Sequence, residues 1–586
     1  MQAQITIAGD VYGGGKEGAV GTGNTVGVVT ATDVAADPTK TVTPAEEVKL
    51  TGDNPTDVTS VTINSGLVRT VFGGGQNGRT FGNTSVTVRG NDTQIGLEAL
   101  KNSVHGGLFG AGDGALAYVF GNSTVTIEGG QIIQKVFGGG NQADLMGHTK
   151  VHLLGGNIRA RGVFGGARMA NIYGHSYVLV DGANLKRDLL INNVYGGNDV
   201  AGSIMSSETW AWTKQTSDNM ATPFSPKTAG VDRSWNAFVH ITNPDKKTTD
   251  ATTGEVTNTG KKIYIGQLFG GGDGDYTYTA NATDNTKYDV QIALKEWDDE
   301  ANEGAGGYVD KTPVTYTVNG APELGKTYLE IDGGSIVYAY GGGNAATVTD
   351  RVVICVDNPS DVVNSITDAS AITSDNPTGE LLTNDRFKEM GINLGFSYPS
   401  SGAFQIGSFF GGNNKAPMAI RPTWNLLSGK IRNLYSGGNA GAMTSPDGLL
   451  LVIPQNSTIK VDNVYGGCRM ADVNPDDRPM PAFEGTIAAG TNSTSYKFPA
   501  TFAARMIIAG GDINNVYGGN DISGKVFGGN AIGIRTSIRG DVYGGGNGSY
   551  PYTDNPLMEG DETYGDLFYK ISDVPGATTS VEALNA

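Results

Sequence analysis

Apolar residues along this chain recur in two short patterns, while helical spacing is nearly absent; residues 386–390 are its best short stretch. The first pattern is strict alternation. Val86-Thr87-Val88, Val125-Thr126-Ile127, Val151-His152-Leu153 and Val178-Leu179-Val180 each put their first and third residues on one side. A period of two predicts half-buried β-strands. The second pattern is a bulky apolar residue, then an aromatic, then in all copies but Leu434-Tyr435-Ser436 a glycine. It runs from Val11-Tyr12 through Val71-Phe72, Leu108-Phe109, Val136-Phe137, Val163-Phe164, Val194-Tyr195 and Leu268-Phe269. It continues with Ala339-Tyr340, Phe409-Phe410, Leu434-Tyr435, Val464-Tyr465, Val516-Tyr517, Val526-Phe527 and Val542-Tyr543. The four copies from Leu108 to Val194 are 28, 27 and 31 residues apart. A fixed period of this size means stacked units, none of which buries its apolar face alone.

The two patterns are parts of one coil. Phe72, Phe137 and Phe164 are each followed nine residues later by Phe81, Met146 and Tyr173; Phe109 is followed eleven later by Phe120. The alternating strand opens five residues after that second bulky residue. Ile then precedes the aromatic pair by three residues at Ile133/Val136, Ile191/Val194, Ile265/Leu268, Ile336/Ala339, Ile431/Leu434 and Ile513/Val516. Three short β segments separated by glycine corners predict an all-β chain, a parallel β-helix (β-solenoid) of about fourteen coils with loop insertions. Each strand then pairs with its copy in the next coil at about 4.8 Å, and like residues form ladders. Phe and Tyr alternate freely after the Val position, so the ring is expected to be packed with its far edge near water or a polar partner.

A longer period overlies the coil. Gly166-Ala167-Arg168-Met169-Ala170 recurs as Gly467-Cys468-Arg469-Met470-Ala471, and Asn192 to Asp199 recurs as Asn514 to Asp521. Gly272-Asp273-Gly274-Asp275-Tyr276 is followed in kind by Gly546-Asn547-Gly548-Ser549-Tyr550. The matches come in one order and imply two supermodules, 61–325 and 326–560, with a C-terminal extension over 561–586. Residues 1–60 then hold the end of a preceding module plus an insertion, since Gly9 to Gly15 repeats Gly540 to Gly546. Insertions rich in Thr, Asp, Asn and Pro are expected at 16–60, 203–234, 276–325, 357–405, 471–500 and 550–586. In repeat proteins such insertions map to loops, often on the binding face.

Composition narrows the function classes. Glycine makes up 89 of 586 residues without a collagen-like period, so the glycines serve corners. Net charge is −18, which argues against a nucleic-acid partner. No stretch approaches the ~20 apolar residues of a membrane span, and Met1-Gln2-Ala3-Gln4 runs into Ile5-Thr6-Ile7 without a signal-peptide pattern. Cys355 and Cys468 are expected as separate buried thiols. His148 and His175 share the register of Asn83 and Asn122, which predicts a polar corner ladder and not a metal site, for which two imidazoles are too few.

Candidate site residues are few. Trp210, Trp212, Trp235 and Trp297 lie in or beside insertions and suit ligand stacking. The repeated Arg168/Arg469 and Asp199/Asp521 are the best polar candidates. Asp273 and Asp275 faintly resemble calcium-loop chemistry but lack the spacing of a known calcium loop. No other metal, no cofactor and no nucleophile or nucleotide-loop constellation is expected.

The run Val542-Tyr543-Gly544-Gly545-Gly546-Asn547, together with strands such as Val125-Thr126-Ile127-Glu128-Gly129-Gly130, resembles gut-bacterial cell-surface repeat proteins containing right-handed parallel β-helices. That resemblance implies an adhesin-like protein exported to the cell surface or secreted. The expected function is an extracellular β-solenoid that presents insertion loops to glycans or host surface proteins. Two alternatives are a carbohydrate-active enzyme, a polysaccharide lyase or glycoside hydrolase on a β-helix, and a self-assembling filament subunit stacked end to end. An enzyme of the hydrolase kind needs two carboxylates ~5–9.5 Å apart, a separation that sequence does not display.

Overall fold

The computed structural model describes residues 6–20, 57–100, 103–158, 162–205, 235–304, 306–360, 405–489, 492–498, 501–548, 552–553 and 569–570. Residues 386–390 lie outside them. The described chain is almost entirely β; its α-helix is the four-residue turn Ala301–Gly304. No helix among the described residues is long and apolar enough to cross a membrane. The chain divides into two compact units, 1–240 with 271–325, and 241–270 with 326–586.

The first unit carries three rows of parallel pairing. In one, Val11, Val71, Leu108, Val136, Val163 and Val194 lie in register, each strand beside its copy. Their aromatic neighbours Tyr12, Phe72, Phe109, Phe137, Phe164 and Tyr195 stack with centroids 4.6 to 5.1 Å apart. The second row aligns Val61, Val86, Val125, Val151 and Val178, with alternate side chains buried as the period of two requires. The third is a line of single bridges through Val20, Thr80, Val119, Leu145, Ile172 and Ile204.

The second unit repeats the aromatic row. Phe269, Tyr340, Phe410, Tyr435, Tyr465, Tyr517 and Tyr543 stack at 4.6 to 5.1 Å. Ile265, Ile336, Ile406, Ile431, Val461 and Ile513 form the apolar ladder beside it. Two sequence-based assignments need correction. Val526-Phe527 is outside the aromatic row: Val526 bridges Val473 in the line Met418, Met443, Val473. Ile132, not Ile133, occupies the apolar ladder with Ile95 and Ile158, because that coil holds one more residue before its aromatic pair.

At most positions the glycine after the aromatic is required by the spacing of the rows; Ser436 follows Tyr435, and Gly544 after Tyr543 has open space. A Cβ on Gly138 would lie 2.3 Å from the carbonyl oxygen of Gly165, and one on Gly341 would lie 2.6 Å from that of Gly411. Carbonyls in this register also accept hydroxyls from the strand row. The hydroxyls of Thr59, Thr84, Thr149 and Ser176 donate to the carbonyls of Gly73, Gly110, Gly165 and Gly196 at 2.5 to 2.7 Å. At these four positions the hydroxyl satisfies a buried backbone acceptor while fixing the corner; Ser123, in the same register, makes no such bond.

The polar ladder forms as its register predicts. The Asn122 amide donates to Asn83 Oδ1 at 2.8 Å, His148 N–H to Asn122 Oδ1 at 2.9 Å, and His175 N–H to His148 Nδ1 at 3.0 Å. The two imidazoles stack at 5.3 Å. Cys355 and Cys468 are fully buried thiols outside any disulfide, and burial pushes the Cys468 thiol up to about 12.

Candidate functional site

Gly-Gly-Asn-Asp builds the same corner in both units. In the first, Asn198 Oδ1 accepts the Ala167 N–H at 2.8 Å while its amide donates to the carbonyls of Ala170 and Ala201. A Cβ on Gly166 would sit 1.9 Å from that oxygen, so the glycine makes room for the docked asparagine. Asn520 repeats the arrangement with Cys468 N–H and the carbonyls of Ala471 and Ser523. Each asparagine ties two neighbouring repeats together and delivers the next residue, Asp199 or Asp521, into a buried position.

Asp199 is fully buried and its charge is compensated. Lys135 Nζ lies 2.7 Å from both carboxylate oxygens, and the Tyr276 hydroxyl donates to Oδ1 at 2.9 Å. Lys135 also donates to that hydroxyl oxygen at 2.7 Å and sits 5.3 Å from the ring centres of Phe164 and Tyr276. Burial, reinforced by Asp199 and Asp273, raises the Tyr276 hydroxyl well above its ordinary pKa, so it stays a donor. Arg168 is buried beside this group and donates from Nη1 to the Val104 carbonyl at 2.9 Å. Asp521 accepts from the Tyr435 hydroxyl at 2.7 Å and from Asn547 at 2.9 Å. Arg469 is half-buried in the same unit and electrostatically close to Tyr340.

The Asp199 corner anchors an antiparallel hairpin, Tyr288–Asp298 with Gly307–Val318, built from the 276–325 insertion. Val290 and Ile292 pack with Val200 and Ala201, joined by Val104, Met169, Tyr276, Tyr278, Tyr316 and Val318. The Tyr278 hydroxyl donates to the Val200 carbonyl at 2.6 Å, and Val104 N–H donates to the Ala293 carbonyl at 2.8 Å. Asp273 and Asp275 lie at the start of this insertion, where the Asp273 N–H is bonded to the Asn198 carbonyl. Among the described residues, neither belongs to a group of three convergent ligand atoms.

The hairpin carries Trp297 outward. Trp297 is 55% exposed, its indole N–H donates to Asp299 at 2.8 Å, and it meets Tyr308 edge-on at 5.3 Å and 82°. Gly306, at φ +77°, lies against the indole, where a Cβ would come within 2.4 Å of the ring. Trp235 is buried instead: its carbonyl binds the His175 ring and its indole packs against Phe238. Trp210 and Trp212 lie outside the described residues.

Sequence reasoning missed Lys135, Tyr276 and Tyr308. The available signal was Lys135 itself, a charge directly before an aromatic pair, where other coils have Thr70, Gly162 or Asn193. Tyr276→Phe is expected to lower stability by about 1–2 kcal/mol, because Asp199 and Lys135 each lose a buried bond. Faster amide exchange in residues 288–318 checks it, and unchanged exchange there would contradict the anchoring role.

Compared with protein-family models, with curated proteins and with solved structures, the chain matches none.

Proposed function

We propose that this chain is a right-handed parallel β-helix that acts outside the cell or at a bacterial cell surface as a scaffold, holding inserted loops toward glycans. Support for the scaffold comes from like residues recurring in register along the parallel rows. The observation that carries the binding role is Trp297. An indole this exposed loses apolar contact with water on binding, and a flat ring presented by a rigid hairpin suits stacking against a sugar face. Its N–H bond to Asp299 and the glycine against its edge hold the ring in one orientation. Such preorganisation reduces the ordering cost of binding. Asp199, fully buried and bonded to Lys135 and Tyr276, is engaged in structure, which favours binding over hydrolysis.

A panel of soluble glycans tests the reading. The protein is expected to bind at least one class without releasing fragments, and Trp297→Ala is expected to weaken that binding at least tenfold with unchanged circular dichroism. Release of sugar fragments, or equal binding by the variant, would overturn it.

A further inference from the structure

In the second unit a hairpin from the 471–500 insertion, Phe483–Ala489 with Asn492–Phe498, lies against the outward side of two strands of the parallel sheet, Leu449–Ile453 and Ala504–Ile508. Phe483 and Phe498 pack there with Leu450, Val452, Ile507, Ala509 and Ala531. Two arginines approach the Phe483 ring, with guanidinium carbons 4.8 Å (Arg421) and 6.0 Å (Arg505) from its centre. Arg505 is completely buried. Its terminal nitrogens reach only carbonyls, Pro481 at 2.7 Å and Asp447 at 3.4 Å, and its Nε–H has no acceptor.

No carboxylate among the described residues forms an ion pair with either arginine. The contrast within the molecule is informative. The buried cation of the first unit, Lys135, is neutralised by Asp199 at 2.7 Å. Asp447 lends Arg505 a nearby negative charge but no carboxylate contact, and Arg421 opposes it; a buried guanidinium without a contacting carboxylate is costly. Burial and Arg421 together hold Arg505 below its ordinary pKa. Arg421, unlike Arg505, is only half-buried.

We propose that Arg421 and Arg505 form a binding site for one oxyanion, the carboxylate or sulfate group of an acidic glycan, with Phe483 as the apolar wall beside it. The planar fork of Arg421 suits bidentate binding of such a group. Arg505, closed off from solvent, adds its positive charge in a setting of low dielectric, where charge-assisted bonds are strong. This site deepens the glycan reading above by naming the charge class of the ligand, and it rests on that reading.

The test uses the whole chain, calorimetry with galacturonate oligomers and with neutral glucose oligomers, and thermal unfolding in sodium sulfate against chloride at equal ionic strength. Wild type is expected to bind the uronate oligomers with an affinity that falls with salt, and to be stabilised by sulfate. Arg421→Gln is expected to weaken uronate binding at least tenfold and to abolish the sulfate effect, with unchanged circular dichroism; Arg421→Lys restores part of both. Equal uronate binding by wild type and Arg421→Gln, or no sulfate stabilisation of wild type, overturns the site. Sulfate stabilisation that needs Arg421, with no glycan bound at all, would keep the anion site and sink the glycan reading. Neutral-glycan binding that is lost in Trp297→Ala and unaffected in Arg421→Gln, without uronate binding, would do the reverse.

Discussion

Gly138→Ala is expected to cost about 3 kcal/mol or more of unfolding free energy. The new Cβ would lie 2.3 Å from the Gly165 carbonyl oxygen and 2.8 Å from the Thr149 side chain. Real Cβ atoms do not approach an oxygen so closely, and this oxygen belongs to the backbone of the adjoining coil. It also accepts the Thr149 hydroxyl at 2.6 Å. Relief by a rotamer change is therefore closed, and the neighbouring strands must separate locally. Strain of that kind belongs to the largest effects of overpacking. Gly545→Ala serves as the control, because a Cβ there meets nothing within 4 Å; it is expected to stay within about 0.5 kcal/mol. Denaturant unfolding of both variants decides the matter. Equal stability of the two would show that coil spacing does not dictate the corner glycines.

Acid is expected to loosen the first unit well before the carboxylates titrate. Burial lowers His175 to about 4, and burial together with His175 lowers His148 well below the ordinary imidazole value. Each ring is neutral when folded, and the unfolded chain takes up the proton near pH 6.5. Stability from these groups is complete above that pH and is lost as pH falls from 6.5 toward 4. For His175 the full difference comes to about 3 kcal/mol, and His148 adds in the same direction. Geometry gives the same sign. His148 Nδ1 accepts the His175 N–H at 3.0 Å, and a proton on that nitrogen would remove the acceptor. The double variant His148→Asn/His175→Asn should keep the ladder, because Asn83 and Asn122 already carry it with amide oxygens. Its unfolding free energy is expected to change less than that of wild type between pH 7 and 4.5. Identical pH profiles would discard the histidine assignment.

What sequence disclosed, and what it concealed, divides along a physical line. A residue whose neighbour above and below is its own copy announces itself by repetition. Hence the aromatic positions, the alternating strands and the Asn83–Asn122–His148–His175 register could all be read from spacing. Lys135 and Asp199 are 64 residues apart and Lys135 and Tyr276 are 141 apart. Lys135 and Asp199 meet across successive repeats of one row, but Tyr276 joins them because an insertion folds back over the sheet, and the path of an insertion has no period. The Arg421, Phe483 and Arg505 cluster is hidden for the same reason. Val526-Phe527 shows the opposite failure: a local motif copied the aromatic pair, yet its coil places it in the line of Val473. Ile133 was displaced by a single extra residue, which spacing rules of fixed length do not register.

The apolar ladder and the aromatic ladder keep their own registers although the chain between them varies. Three residues separate Ile191 from Val194, and thirteen separate Ile95 from Leu108. Lengthening a flexible connection is thermodynamically mild, about 0.6 kcal/mol for each doubling. New surface can therefore be grafted at a corner without resetting either column. Descendants of this sequence could exchange the Trp297 hairpin or the Phe483 hairpin for others while the rows stay as they are. Recognition would then drift quickly on a frame that drifts slowly.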